Sequence, residues 1–289
     1  MVSFKRLNEC VLDEAVEAWN EGFAGYFLDM TMSPEAFLNR LTLEGLSPAL
    51  SFAAYDDGRP AGIVLNGIRE IQGIRVAWNG GTGVVPEYRG KGISRALMDH
   101  ALQIYREERV QLSTLEALSP NERAIRLYKS KGYDTVDRIL YMGYDQALPK
   151  LDGVETDEYL YRHGTPQDIK AYEALMPWQS QWANFRRDGE ALLVHEKGHV
   201  IAYALFKRTY DADGENNGIS VGQVRILEQR ADQERLLRSL LSKILQPERV
   251  SFKRTFPVLA SNREVLHNLK ALGFEEKLSQ VWMSLALQP

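Results

Sequence analysis

Hydrophobic positions in the first half of the chain follow helical spacing in some stretches and strand-like runs in others. Ala96, Leu97, Ala101 and Ile104 share one face of a predicted helix. The predicted helices are 11–23, 33–44, 94–107 and 121–130, and the predicted strands are 2–7, 51–56, 59–69, 74–84, 111–117 and two short strands through residue 144. This mixed order predicts an α/β layered domain.

The second half of the chain repeats the pattern of the first. Residues 121–133 match 262–274 in their Asn, Lys, Gly and aromatic positions, and 55–65 match 195–205 as a strand, a Gly turn and a second strand. Two matches at nearly one offset indicate a tandem duplication. The predicted organisation is a first domain at 1–145, a linker at 146–157 and a second domain at 158–289.

Composition and charge narrow the class of protein. The 289 residues are 44% hydrophobic, which suits two globular domains, and the net charge is −4 without a long run of like charge. Nucleic acid is therefore not an expected partner. No apolar stretch reaches the roughly 20 residues of a membrane span, and no secretory signal is recognised, so a cytoplasmic protein that does not bind membranes is expected. Cys10 is the only cysteine, which excludes internal disulfides and cysteine-based zinc sites.

A loop between a predicted strand and a predicted helix has the features of a phosphate-binding site. Gly90 and Gly92 let an anion approach the backbone, Arg89 and Lys91 add positive charge, and the following helix presents unpaired amides. The alternative interpretation is that this glycine-containing loop only starts the helix and binds no phosphate. The spacing fits neither the P-loop nor the dinucleotide fingerprint.

Two motifs resemble those of the GCN5-related N-acetyltransferase (GNAT) family. Its Arg/Gln-x-x-Gly-x-Gly/Ala signature is matched by residues 89–94, with Ser94 departing at the last position. Its second signature is matched at Asn121, Ala124, Leu127, Tyr128, Gly132 and Tyr133. The resemblance implies two tandem GNAT-like domains, each a mixed, mostly antiparallel sheet flanked by helices. It also implies acetyl-CoA as co-substrate. Separately, the five histidines are scattered along the chain, so no metal is expected.

The resemblance implies roles for particular residues. Backbone groups of Val84 and Val85 would meet the pantetheine arm and the acetyl carbonyl, and Asn121 would contact the cofactor. Tyr128 would be the general acid, acting on a tetrahedral intermediate formed by direct attack of an amine. The loop that would hold the pyrophosphate consists of Arg89, Gly90, Lys91, Gly92, Ile93 and Ser94.

The resemblance also makes Glu116 the candidate general base, because many acetyltransferases of this type carry a carboxylate twelve residues before the tyrosine. From a strand end this carboxylate could take a proton from an amine directly or through water. The alternatives are a structural carboxylate for Glu116 and a core tyrosine for Tyr128. The acceptor pocket of the family's fold is usually lined by the first two helices and the late strands, so the resemblance implies Phe23, Tyr26, Asp29, Trp78 and Asn79 as candidate acceptor-binding residues. About half of these and the neighbouring aromatic residues could equally form a core stripe.

The expected activity is transfer of an acetyl group to a primary amine. The expected partner of the protein is the small molecule that carries this amine. Alternatives are acetylation of a protein N-terminus or lysine, and a non-catalytic acyl-CoA sensor or scaffold; a homodimer is possible.

The second copy is expected to be inactive. The residues equivalent to the phosphate loop include Arg230, Ala231, Asp232 and Gln233, and Leu269 replaces Tyr128. A structural or acceptor-cleft role is therefore predicted for it.

Overall fold

A computed structural model describes residues 2–148, 159–245 and 252–287. Most of the predicted linker, from residue 149 to 157, lies outside the described residues. The helices are α1 (Leu12–Gly22), α2 (Pro34–Glu44), α3 (Ile93–Glu107), α4 (Glu122–Ser130), α5 (Gln233–Leu245) and α6 (Arg263–Ala271). The strands are β1 (Ser3–Arg6), β2 (Phe52–Asp56), β3 (Arg59–Ile71), β4 (Ile74–Val84), β5 (Leu112–Leu118), β6 (Asp134–Tyr144), β7 (Leu160–Gly164), β8 (Gly189–Glu196), β9 (His199–Tyr210), β10 (Asn216–Ile226), β11 (Lys253–Leu259) and β12 (Glu275–Ala286).

The chain forms two compact units, and the first comprises residues 1–136 and 282–289. Its strands are ordered β1, β2, β3, β4, β5 and the end of β12. Strands β1 to β4 pair antiparallel, and β4 and β5 pair parallel. Helices α1 and α3 both pack against β3 and β4. The predicted mixed sheet with flanking helices is confirmed for this half.

Local chemistry explains where the helices of the first unit begin and end. The Ser33 hydroxyl accepts a hydrogen bond from the Ala36 amide at the start of α2, and Gly45 ends that helix in the left-handed region at φ 66°. The Asn121 side chain accepts from the Ala124 amide and so caps α4. These residues lie at or next to the predicted helix ends because capping depends on local sequence.

The parallel pair β4 and β5 opens toward its carboxyl end. The strands are in register only from Val76 with Leu112 to Asn79 with Leu115, although β4 continues to Val84. A bulge in β4 contributes to this, because Leu65 pairs with Gly81 and Asn66 with Asn79, which leaves Gly80 unpaired. The resulting opening positions the candidate site.

The second unit comprises residues 137–281. Its strands are ordered from the beginning of β12 through β6, β11, β10, β9 and β8 to β7. Strands β10 and β11 pair parallel, from Gly218 with Lys253 to Ser220 with Thr255, and the other recorded pairs are antiparallel. A mixed, mostly antiparallel sheet with helices therefore occurs in both halves.

The prediction of two short strands after α4 was wrong. A single strand, β6, covers this stretch, and its residues Ile139–Tyr144 pair antiparallel with Arg254–Leu259 of β11. No glycine, proline or asparagine interrupts residues 134–142, so the backbone has no local reason to turn. The compact units also divide within β6, at residue 136, rather than after residue 145.

Within the described ranges, no helix is long and apolar enough to cross a membrane. In the same part of the chain, no three His, Cys, Asp or Glu side chains form a group that could hold a metal ion.

Candidate active site

A cleft of about 770 Å³ opens in the first unit where β4 and β5 diverge. One wall is formed by the end of α1 and the loop after it, and the others by β4, the loop before α3, and α4. The lining residues are Gly22, Phe23, Gly25, Tyr26, Phe27, Thr82, Val84, Tyr88, Arg89, Gly90, Gly92, Ser94, Arg95, Asn121, Arg123, Ala124, Arg126, Leu127, Tyr128 and Ser130. The fold therefore brings both predicted motifs into one cavity.

The loop before α3 fits an anion. Gly90 and Gly92 adopt φ values of 81° and 88°, and Gly92 is the N-cap of α3. A Cβ added to Gly92 would meet no atom within 4 Å, so the space above it is open. The amides of Ile93 and Ser94, in the first turn, have no partner within the helix. Open backbone, unpaired amides and the positive helix end together suit a pyrophosphate.

Arg89 lines the cleft with its positive charge, as the sequence predicts, and its guanidinium also has a structural role. Its Nε donates to the Val84 carbonyl at 2.8 Å, and its Nη2 donates to the Ala24 carbonyl at 2.6 Å. The guanidinium thus joins the end of β4 to the loop after α1, and it fixes the width of the cleft. The Lys91 ammonium lies 5.7 Å from the centre of the Tyr88 ring.

Three hydrophobic residues of the predicted cofactor site differ in whether they line the cleft. Val84 lines the cleft, whereas Val85 and Ile93 are buried and do not line it. The Val85 amide donates to the Ala61 carbonyl at 3.1 Å, and its carbonyl accepts from Tyr88 at 2.9 Å. Both backbone groups of Val85 therefore already have partners within the protein.

Tyr128 lies on the cleft side of α4 and is only 7% exposed. Burial raises the pKa of its phenol to about 12, with a smaller increase from Tyr26 and an opposing hydrogen bond with Thr82. The Thr82 hydroxyl in turn donates to the Asn79 side-chain oxygen at 3.1 Å. Tyr128 is therefore a protonated donor at neutral pH.

The raised pKa of Tyr128 predicts an alkaline effect on stability. Its contribution is complete below about pH 10, where the unfolded phenol titrates, and is lost as the pH rises to about 12. Between pH 9 and pH 11, the wild type should lose about 1 kcal/mol more free energy of unfolding than Tyr128→Phe. Urea unfolding at both pH values measures the difference. Tyr210→Phe, at a site 60% exposed, should behave like the wild type, and equal losses in all three proteins would contradict the expectation.

Glu116 does not line the cleft. Its carboxylate accepts a hydrogen bond of 2.5 Å from the Trp78 indole, and Trp78 is 2% exposed. Because Trp78 pairs with Thr114 in the parallel register, Trp78 and Glu116 lie on the same face of β4 and β5. This bond fixes the carboxylate at the end of β5, and the base role of Glu116 stays a prediction.

The predicted acceptor residues divide into two groups. Phe23, Tyr26 and Phe27 form an edge-to-face series with ring centres 5.4 Å apart, and all three line the cleft. Burial raises the pKa of the Tyr26 phenol, and the nearby Asn121 side chain opposes that increase.

Asp29, Trp78 and Asn79 do not line the cleft. The Asp29 carboxylate accepts from the Thr31 amide at 3.0 Å. The buried Asn79 amide donates to Thr82 and accepts from the Gly81 amide, so it supports the bulge of β4.

Several cleft residues were not anticipated from the sequence. Thr82 and Tyr88 are close to predicted positions but belong to no motif. Arg95 in the first turn of α3, Arg123 in the first turn of α4 and Arg126 in the next turn of α4 supply guanidinium groups. The available signal was that Arg95 directly follows the first motif and that Arg123 and Arg126 lie within the second, because helix N-termini favour anions and cationic side chains nearby add to that preference.

The equivalent loop of the second unit is filled by its own side chains. Arg230 forms ion pairs of 2.9 Å with Glu196, Glu228 and Asp232. The guanidinium lowers the pKa of Asp232 to about 2, so a full negative charge lies just before α5. Leu269, the counterpart of Tyr128, is fully buried. This arrangement opposes a bound pyrophosphate and offers no proton donor.

Comparisons with known proteins agree with the geometry of the first unit. The model of the acetyltransferase (GNAT) family matches residues 9–133. Mycothiol acetyltransferase of Propionibacterium freudenreichii subsp. shermanii is 28% identical over 139 residues, which cover 48% of this chain and 44% of that protein. Streptothricin acetyltransferase of Streptomyces lavendulae is 36% identical over 78 residues, which cover 27% of this chain and 38% of that protein. The chain thus spans less than half the length of these curated relatives.

A solved structure shows that the whole chain has a known architecture. A tandem GNAT protein from the clavulanic acid biosynthesis pathway superposes with a TM-score of 0.62 at 16% identity, covering 100% of this chain and 99% of that one. At this identity the likeness concerns the fold alone, and it agrees with the duplication recognised in the sequence. The likeness to the acetyltransferase (GNAT) family therefore concerns residues 9–133, which lie in the first unit.

Proposed function

We propose that this protein transfers an acetyl group from acetyl-CoA to a primary amine of a small molecule, and that the first unit carries the reaction. The main observation in support is that residues of the Arg89–Ser94 loop, the helix cap Asn121 and Tyr128 all line one cleft. An anion-binding helix end and a buried proton donor in one cavity suit a donor that has phosphates at one end and a thioester at the other.

Tyr128 would act at the departing sulfur. A phenol with a pKa of about 12 is a weak acid beside a thiol with a pKa of about 8.5, so complete proton transfer would be unfavourable by roughly 5 kcal/mol. The side chain would therefore stabilise the thiolate mainly as a hydrogen-bond donor until bound substrate changes its surroundings. Thr82 lines the same cleft and opposes the increase that burial causes in the pKa of this phenol.

The acceptor amine would enter beside the aromatic side chains of Phe23, Tyr26 and Phe27. The amine must lose its proton to attack, and Glu116 would accept that proton through water, since its carboxylate does not line the cleft. Two relatives are named for small acceptors, mycothiol and streptothricin, which supports a small molecule over a polypeptide. The role of the second unit would be structural.

Calorimetry with acetyl-CoA tests the donor and the number of sites. We expect micromolar binding with a stoichiometry of one, because Asp232 and its ion pairs fill the second loop. Two molecules per chain would contradict an inactive second unit, and no binding would contradict the proposed function. Thiol release with matched panels of small amines and peptides then identifies the acceptor class, and turnover with peptides alone would contradict the small-molecule proposal.

A further inference from the structure

Two guanidinium groups of the cleft take no part in holding the fold together. Arg95, in the first turn of α3, and Arg123, in the first turn of α4, both line the cavity and are exposed. Neither guanidinium forms an ion pair or a hydrogen bond with another described residue. By contrast, Arg89 donates to backbone carbonyls, and Arg126 pairs with Glu122 at 3.0 Å. Two positive charges are therefore available to a ligand.

The charge of the cleft is unlike that of the whole chain. The described residues that line it include four arginines and no aspartate or glutamate, although the chain has a net charge of −4. Like charges gathered in one cavity repel one another, and a bound anion removes that repulsion. The cleft is thus suited to a ligand with more negative charge than the backbone amides of one loop can neutralise.

Two phosphate-binding regions can be distinguished in this cleft. The amides that follow Gly92 face the open space above the loop and suit the pyrophosphate. Arg123 lies beside that loop, because a Cβ added to Gly90 would be 4.0 Å from its Nη2. Coenzyme A carries one further phosphate, on the 3′ position of its ribose. A planar guanidinium binds such a group through paired, charge-assisted hydrogen bonds.

We infer that Arg123 and Arg95 bind the 3′-phosphate of coenzyme A and make this protein select donors that carry it. The inference rests on the proposed function, since it concerns the same donor. One consequence is discrimination against acyl groups on a bare phosphopantetheine arm, such as that of a carrier protein, because that arm has no ribose 3′-phosphate. The two arginines would thereby define the donor class.

Calorimetry with coenzyme A and with 3′-dephospho-coenzyme A tests this selection without depending on turnover. The wild type should bind coenzyme A at least about tenfold more tightly, as expected for hydrogen bonds between charged groups. In Arg123→Gln and in Arg95→Gln, the ratio of the two dissociation constants should fall below about threefold. The affinity for dephospho-coenzyme A should change less than about twofold in both variants.

Arg106→Gln is the matched control. Arg106 is exposed in the last turn of α3, outside the cleft, and its loss changes the net charge equally. This variant should retain the wild-type ratio of the two dissociation constants. If that ratio fell as far as in Arg123→Gln, the effect would come from net charge alone and the inference would be overturned. Equal binding of both ligands by the wild type would overturn it too, while leaving the proposed function intact. Failure of the wild type to bind either ligand would contradict the proposed function itself.

Discussion

Gly92→Glu should weaken acetyl-CoA binding at least about a hundredfold, which corresponds to about 3 kcal/mol. Two physical effects combine in this substitution. Gly92 has a φ of 88°, a region that costs residues with a Cβ about 1–2 kcal/mol. The new carboxylate would also lie at the start of α3, where the amides and the helix dipole favour an anion. It would therefore compete with the pyrophosphate for the same groups. Calorimetry measures the loss.

Gly73→Glu provides the matched control for backbone strain. Gly73 has a φ of 80°, no atom lies within 4 Å of its hypothetical Cβ, and it connects β3 to β4 away from the cleft. Thermal unfolding should show similar losses of stability for the two variants, whereas only Gly92→Glu should lose binding. Retention of binding by Gly92→Glu would show that the donor phosphates lie elsewhere.

Tyr128→Phe should lower kcat on the order of ten- to a thousandfold at saturating acetyl-CoA and leave the dissociation constant of acetyl-CoA nearly unchanged. The ring is kept, so the packing of this buried side chain on α4 is retained. What disappears is the hydroxyl that would stabilise the departing thiolate. Because thiolates are good leaving groups, the expected loss is smaller than for a nucleophile. Steady-state kinetics with thiol detection, together with calorimetry, separates the two quantities.

Tyr133→Phe controls for the loss of a buried hydroxyl. Its phenol shares a 2.5 Å hydrogen bond with Ser113, and its ring centre is 6.1 Å from that of Tyr128, but it does not line the cleft. This variant should lose stability while kcat stays within about threefold of the wild-type value. A wild-type kcat for Tyr128→Phe would exclude the general-acid role and leave Tyr128 as a core residue.

The local elements could be predicted because their signals are local. Ser33 and Asn121 cap helices through their own side chains, and Gly45 ends α2 at positive φ. Each of these helix boundaries is therefore determined by a few neighbouring residues. The exception is β6, where the sequence did not show that one long strand would form. Its pairing with β11, more than a hundred residues away, is a long-range contact with no local signature.

The site could be predicted in part for the same reason. The motif residues Gly90, Gly92, Asn121 and Tyr128 all line the cleft. The roles of side chains at a distance from the motifs were not visible in the sequence. Arg89 was expected to supply charge, and the structure adds that its guanidinium binds the carbonyls of Val84 and Ala24, because folding brings the end of α1 beside it.

The sequence by itself indicated the resemblance to the acetyltransferase family, the duplication, the glycine loop before α3 and the absence of those glycines from the second copy. These depend on residue types at fixed spacing, which a helix start or a turn converts directly into geometry. Only the tertiary structure decided that β4 and β5 diverge into a cleft, that burial raises the pKa of Tyr128, and that the Trp78 indole holds Glu116. Burial and contacts between distant segments depend on how the strands and helices pack, and no spacing within a single segment encodes them.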